Sequence, residues 1–201
     1  MSLIVKAGKM GKRVLKKFLP EEKHHVSYTR RIERVHTKER VVAMTFDDGP
    51  MDLPSSPDKF GGRALTDLLL DTLQEYHALG TFDVVGDTSE NSPDLAGKSG
   101  QADWGGVRYD HYPDINQDGR GGVVHNDRLV RRILHEGHQI TNHGYRHVLF
   151  GKKPFVYGKR DHFHGLDPVV ADLTRLHTLL QETYGYTMTM GRPPHYVDKI
   201  E

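Results

Sequence analysis

The chain has 201 residues, of which 36% are hydrophobic, and a formal net charge of +1. This length suits one main domain with a substantial core, and no apolar run approaches the roughly 18 residues that would predict a membrane-spanning helix. The absence of cysteine excludes disulfides, cysteine nucleophiles and thiolate metal sites. Any metal ion must therefore be held by histidines and carboxylates, and the 14 histidines are about three times the usual number.

The charge is distributed unevenly along the chain. Residues 1–40 contain 12 lysines and arginines against 4 glutamates, whereas the remainder contains 16 against 23 acidic residues. We therefore predict a basic N-terminal arm, residues 1–39, followed by one domain, residues 40–201. The arm has the charge for contact with a membrane or cell-wall surface, although a solvated tail or leader helix is the simpler interpretation. We expect no nucleic-acid partner. The basic start of the arm is not followed by an apolar segment, so no signal peptide of the usual form is visible.

The predicted elements alternate between strands and helices. Strands are predicted at residues 41–46, 81–86, 138–142 and 187–194. Helices are predicted at residues 63–80, from a cap at Asn126 to Glu136, and at residues 168–184. The Gly/Asp/Ser-rich stretch at residues 87–124 shows no period and is interpreted as an insertion or functional loop. The alternation predicts an α/β fold with parallel strands, in which the chemistry collects at the carboxyl ends of the strands.

Polar residues gather at these strand ends. Asp47 and Asp48 follow the first strand, "NHGYRH" (142–147) ends the third, and "GRPPHY" (191–196) ends the fourth. His143 and His147 are four residues apart and can converge on one ion across a helical turn, with Asp48 as the natural third ligand. Such a set leaves metal positions open for water, as in catalytic sites. Asp47 could then act as a general base, held ionised by Arg192. Taken separately, the two carboxylates are explained by a turn and the histidine spacing by coincidence.

Together, these motifs resemble a known family. "TFDDGP" (45–50), "NHGYRH" and "GRPP" occur in the order of the first three motifs of the polysaccharide deacetylases, which are carbohydrate esterase family 4 with a NodB homology domain. "GTFDVVG" (80–86) looks like that family's second strand, which usually reads Ala-Thr-Phe-Phe and ends in Val-Gly. The resemblance covers about residues 40–196. It implies a distorted (β/α) barrel, expected here to be incomplete at the C-terminus because only about four strands are visible.

The resemblance also implies a function. The expected activity is metal-dependent removal of acetyl groups from N-acetylated sugars of chitin, peptidoglycan or a related polysaccharide, at an extracellular or cell-surface location. A non-catalytic carbohydrate-binding homologue and an acetyl xylan esterase are the alternatives. The expected cofactor is one divalent ion, Zn²⁺ before Co²⁺. The implied roles are catalytic for the base Asp47 and its orienting residue Arg192, metal-ligating for Asp48, His143 and His147, and substrate-binding for Pro193 and Tyr196.

The sequence departs from the family's pattern at three places. Gly144 stands where the family has Ser or Thr, and His195 stands where an aromatic residue usually follows the Arg-Pro-Pro unit. The chain ends at Glu201, ahead of the family's last two motifs, which supply an aspartate-tryptophan wall and a histidine that acts as general acid. We therefore assign no general acid, and expect either a fragment or a missing half supplied from elsewhere.

Overall fold

The computed structural model describes residues 37–52, 60–91, 103–104, 107–108, 119–152, 161–197 and 199–200. A compact body comprises residues 42–201. Most of the predicted basic arm lies outside the described residues, so its surface contact stays a prediction. Within these described ranges, no helix is both long enough and apolar enough to span a bilayer.

Strands and helices alternate in the body, as the sequence pattern predicts. In chain order the elements are β1 (Thr45–Asp47), α1 (Leu65–Glu75), β2 (Thr81–Val84), β3 (Asp103–Trp104), β4 (Val107–Arg108), α2 (Asp127–His135), β5 (Gln139–Asn142) and α3 (Leu166–Tyr184). β1, β2 and β5 form a parallel sheet in the order β1-β2-β5, and β3 pairs with β4 in a separate antiparallel sheet. The predicted α/β class with parallel strands is confirmed, and closure into a barrel stays a prediction.

The two faces of the parallel sheet differ in chemistry. Side chains alternate along a strand, so residues two apart share a face. On one face, buried apolar residues of β2 and β5 join a single core with residues of all three helices; these are Phe82, Val84, Ile140, Leu70, Leu73, Val130, Ile133, Leu176 and Leu180. On the other face, Asp47 is in register with Asp83, which is in register with Thr141. The helices therefore cover the apolar face, and the polar residues of the other face lie near the carboxyl ends of the strands.

Two strand predictions need correction. The first strand begins at Thr45, and residues 41–44 form no ladder. The predicted fourth strand at residues 187–194 is not a strand, because only Gly191 bridges to Asn142. Arg192 donates its N–H to the Asn142 carbonyl at 2.9 Å, after which two prolines provide no N–H to extend a ladder. The chain instead turns through a 3₁₀ segment, Pro194–Tyr196.

Two helix predictions also need correction. α1 ends at Glu75 and not at Gly80, because His77 takes a left-handed backbone (φ 50°) and Ala78 donates to the Leu73 carbonyl at 2.8 Å. Gly80 serves close packing, since a Cβ there would lie 2.7 Å from the Phe46 ring. Asn126 precedes α2 but makes no side-chain cap. Its amide donates instead to three loop carbonyls, those of Pro50, Arg120 and Gly122.

The described residues at both ends of the predicted insertion, residues 87–124, are hydrogen-bonded to the body. Residues Thr88–Glu90 form a 3₁₀ turn, and β3 and β4 lie within the stretch. Val123 donates to the Val85 carbonyl at 3.0 Å, and Gly122 donates to the Pro50 carbonyl at 2.8 Å. A Cβ on Gly122 would lie 2.6 Å from the Gly86 carbonyl oxygen, so only glycine allows this approach. The end of the stretch thus supports the loop that follows β1.

Candidate metal centre

The loop after β1 presents two carboxylates. Asp48 has a left-handed backbone (φ 68°), which turns the chain sharply at the end of the strand. The Gly49 carbonyl accepts from the Val85 N–H at 3.0 Å, and the Pro50 carbonyl accepts from the side chain of Asn126 at 3.2 Å. These bonds fix the loop between the ends of β1 and β2. Asp47 and Asp48 are therefore held at the carboxyl edge of the sheet.

The histidine turn follows β5 at the same edge. The His143 N–H donates to the Val84 carbonyl at 3.0 Å, and the Tyr145 carbonyl accepts from the Gly86 N–H at 3.0 Å. From α3, the buried Asp172 carboxylate accepts the Tyr145 N–H at 2.6 Å and Arg146 Nε at 2.9 Å. Strand and helix together hold the turn that carries both histidines.

Three side chains converge where these loops meet. Nε2 of His143 lies 3.2 Å from Asp48 Oδ1, and Nε2 of His147 lies 3.0 Å from the same oxygen. One donor atom from each residue falls within 4.8 Å of the other two. Both imidazoles are buried and Asp48 is half-buried. Two imidazoles and a carboxylate suit zinc and related divalent ions, so the donor set fits the expected cofactor.

The histidine tautomer also fits a metal ligand. His143 Nδ1 lies 2.8 Å from the Arg192 carbonyl oxygen, which can only accept, so Nδ1 carries a proton and Nε2, which faces Asp48, is the ring nitrogen available to a metal ion. Burial alone would raise the pKa of Asp48, but His147 and His143 outweigh it and hold that pKa well below its usual range. Asp48 is therefore ionised at neutral pH.

Arg192 pairs with the other carboxylate. Its Nη1 lies 2.6 Å from Asp47 Oδ1 and 2.9 Å from the Thr45 hydroxyl oxygen. The same nitrogen is 3.3 Å from Asp83 Oδ2. Burial raises the pKa of Asp47 above its usual value, although His143 and Arg192 oppose the rise. The expected contact between Arg192 and Asp47 is present, and its catalytic role stays a prediction.

Strained backbone collects around these residues. Five non-glycine residues among those described have positive φ, and four of them lie at or beside the cluster; they are Asp48, His147, His195 and Tyr196. Such conformations cost about 1–3 kcal/mol each and persist where surrounding contacts impose them, which is typical of functional sites. The contacts of the cluster therefore impose backbone conformations that these residues rarely adopt.

The remaining candidate residues lie on the 3₁₀ turn after Arg192. Tyr196 is 71% exposed, and its ring lies 5.5 Å from the Arg192 guanidinium carbon. The Pro193 carbonyl accepts the Tyr196 N–H at 3.0 Å, so Pro193 shapes the turn. The His195 ring packs on that of His147 at 4.8 Å between centroids. Substrate contact by Pro193 and Tyr196 stays a prediction.

Sequence reasoning missed two carboxylates that organise this site. Asp83 interrupts the apolar strand β2 and is only 3% exposed. Asp172 lies on the apolar side of α3, at a spacing shared with Val169, Leu176 and Leu180. An acidic residue at a position that its neighbours' period assigns to the core is rare unless it is paired. That signal was available in α3; in β2 the signal is a lone acid within an otherwise apolar parallel strand, of the kind that is buried on both faces.

The chain matches a known protein family over most of its length. The profile described as polysaccharide deacetylase matches residues 34–197. The chain therefore belongs to the polysaccharide deacetylase family, as its three motifs predicted.

Individual relatives are distant and longer. Peptidoglycan-N-acetylmuramic acid deacetylase PdaC of Bacillus subtilis (strain 168) is 23% identical over 173 residues, which cover 86% of this chain and 25% of PdaC. The chitin deacetylase of the fungal pathogen Colletotrichum lindemuthianum aligns with 20% identity and a TM-score of 0.46, over 78% of this chain and 46% of that one. A family 4 acetyl xylan esterase from Clostridium thermocellum, solved with a cobalt ion, aligns with 21% identity and a TM-score of 0.44, over 77% and 48%. The chain spans a quarter of PdaC and about half of these two structures.

Proposed function

We propose that this chain is the catalytic domain of a metal-dependent polysaccharide deacetylase that hydrolyses the acetamide of N-acetylated sugars. The observation that carries the proposal is the convergence of Asp48, His143 and His147 beside the ion pair of Asp47 and Arg192. A metal-ligand set and an adjacent, separately oriented carboxylate are the two parts that metal-assisted hydrolysis needs.

The three converging side chains would hold one divalent ion, proposed to be Zn²⁺ with Co²⁺ as a substitute. When bound, the ion would polarise the acetyl carbonyl and lower the pKa of water at the site. His143 is presented for this role by the Arg192 carbonyl, which keeps the proton on Nδ1. His147 is held by the turn that Asp172 secures from α3.

Asp47 is proposed as the general base. Its Oδ1 is bonded to Arg192 Nη1, which leaves Oδ2 to accept a proton from the water that attacks the acetyl carbon. Arg192 aims the carboxylate and favours its ionised form, because the guanidinium stays charged when buried. The two roles are separated: Asp48 faces the histidines, and Asp47 faces Arg192.

Tyr196 is proposed to contact the sugar. Its ring is largely exposed beside Arg192, and an exposed tyrosine offers both an apolar face and a hydroxyl to a pyranose ring. Membership of the polysaccharide deacetylase family supports a polysaccharide substrate, and the relative PdaC is named for its action on peptidoglycan. We infer an extracellular or cell-surface location, since peptidoglycan is the substrate in the name of PdaC.

Acetate release tests the proposal. The metal-free protein is reconstituted with Zn²⁺ or Co²⁺ and incubated with chito-oligosaccharides, peptidoglycan fragments or acetylated xylan. We expect acetate from at least one N-acetylated substrate, and at least about 100-fold less from Asp47→Asn. The control is metal binding by Asp47→Asn, which should match that of the native chain because Asp47 is not a proposed ligand.

The outcomes separate the alternatives. Acetate from xylan alone would favour an ester hydrolase. Saturable oligosaccharide binding without acetate from any substrate would favour a carbohydrate-binding homologue. Equal acetate release by the native chain and by Asp47→Asn would remove Asp47 from the mechanism.

A further inference from the structure

Asp83 is a buried carboxylate that the proposed mechanism does not use. It lies in β2, 3% exposed, in register with Asp47 on one side and Thr141 on the other. The Thr141 hydroxyl donates to Asp83 Oδ1. Asp83 Oδ2 makes no hydrogen bond to any described residue, but lies 3.3 Å from Arg192 Nη1. This oxygen is oriented towards the guanidinium that also contacts Asp47.

A buried carboxylate is costly unless a positive charge compensates it. Arg192 is the cation that the structure places within 4 Å of Asp83 among the described residues. The Arg192 side chain is 24% exposed, and its Nη1 contacts three residues of the sheet, which are Thr45, Asp47 and Asp83. The attraction therefore acts both ways: Arg192 neutralises Asp83, and Asp83 draws Arg192 towards the sheet.

The distances assign different parts to the three contacts. Nη1 carries two hydrogens, and its contacts to Asp47 at 2.6 Å and Thr45 at 2.9 Å use both of them. Asp83, at 3.3 Å, acts on the same nitrogen by charge and not by a direct hydrogen bond. This is the arrangement of a group that restrains the arginine without displacing it from Asp47.

We propose that Asp83 is a positioning residue that holds the Arg192 guanidinium against Asp47. Among the described residues, the polar contacts of the buried Asp83 are to Thr141 and Arg192 and not to the converging metal-ligand set, so Asp83 acts on the reaction through Arg192. The catalytic part of this inference rests on the proposed function. The structural part, which is the mutual dependence of Asp83 and Arg192, does not.

The structural part is tested by thermal unfolding of the full chain. The variants are Asp83→Leu, Arg192→Gln and the double variant. We expect each single change to lower the melting temperature, and the double variant to melt above Arg192→Gln, because it no longer buries an uncompensated carboxylate. Additive losses would overturn the proposal. Asp83→Asn, which keeps the shape and can still bond Thr141, serves if Asp83→Leu does not fold.

The catalytic part is tested with the same variants in the acetate assay. Asp83→Leu is expected to lower kcat about 10–100-fold, the loss typical of a misplaced catalytic group, with KM and the Kd for Zn²⁺ within about threefold of the native values. In the Arg192→Gln background, the same change should alter kcat by less than about twofold. The matched control is Asp67→Asn, another aspartate paired with arginines, which should leave kcat unchanged.

The two readouts distinguish the possible failures. If the native chain releases no acetate, the proposed function fails, and the unfolding experiment still decides whether Asp83 holds Arg192. If the native chain is active and Asp83→Leu lowers kcat equally in both backgrounds, Asp83 does not act through Arg192 and the positioning role is wrong. A parallel loss of Zn²⁺ affinity would also contradict it.

Discussion

Asp172 provides the sharpest test of how the fold supports the candidate site. This carboxylate is 4% exposed on α3 and accepts the Tyr145 N–H at 2.6 Å, the Arg146 N–H at 3.5 Å and Arg146 Nε at 2.9 Å. It therefore secures the turn between His143 and His147 from the helix side. Asp172→Ala removes all of these acceptors without changing a proposed metal ligand.

The loss of unfolding free energy expected for Asp172→Ala follows from these contacts. Leaving the buried Tyr145 N–H unsatisfied costs about 1–3 kcal/mol. The ion pair with Arg146 adds at most about 1 kcal/mol, because Arg146 is 40% exposed. The expected loss is therefore about 1–4 kcal/mol, which corresponds to roughly 2–16 °C in melting temperature for a protein of this size. Loosening the turn should also weaken Zn²⁺ binding by about 10–100-fold, as is typical when support of a ligand is removed.

Urea unfolding and a competitive Zn²⁺ titration measure the two effects. Glu182→Ala is the control, since Glu182 is an exposed residue of the same helix, and its unfolding free energy should stay within about 0.5 kcal/mol of the native value. An Asp172→Ala variant that matches this control in both stability and Zn²⁺ affinity would refute the reasoning.

Three further predictions concern single residues. Gly144→Ala should lower the unfolding free energy by about 1–2 kcal/mol, because φ is +85° and the new Cβ would lie 3.1 Å from Asp172 Oδ2; no change in urea unfolding would contradict this. The hydrogen bond from Arg128 lowers the pKa of Asp67, so its stabilising effect is complete above the unfolded pKa and is lost as pH falls through the lower folded pKa. Unfolding measured between pH 5 and 2 should therefore show the native chain and Asp67→Asn converging in acid, and a constant difference would exclude this linkage. Tyr196→Ala should raise KM about 5–20-fold with kcat nearly unchanged, as loss of a sugar contact predicts; a fall in kcat alone would argue against substrate contact.

The sequence predicted most of the candidate site because its residues occupy recognisable local positions. Asp47 and Asp48 directly follow a strand, and His143 and His147 show a ligand spacing within a single turn. Parallel strands bring their carboxyl ends to one edge, so these segments were expected to meet. The structure places them there, with donor atoms from Asp48 and both histidines within 4.8 Å of one another.

The supporting contacts could not be predicted because they depend on register and packing between distant segments. Asp83 and its partner Thr141 are 58 residues apart, and Asp172 reaches Tyr145 across 27 residues. Each acid was visible as an exception in an apolar pattern, but its partner was not. The prediction of a fourth strand at residues 187–194 was wrong for a related reason. The alternating pattern of this segment suits a strand, but only Gly191 forms a bridge to β5.

The account depends most directly on one divalent ion held by Asp48, His143 and His147 beside Asp47. Anomalous diffraction at the zinc absorption edge, from crystals of the chain soaked in Zn²⁺, locates that ion. We predict a single strong peak about 2.0–2.2 Å from Asp48 Oδ1 and from Nε2 of both histidines. A strong peak at other residues, with these three side chains unliganded, would contradict the account.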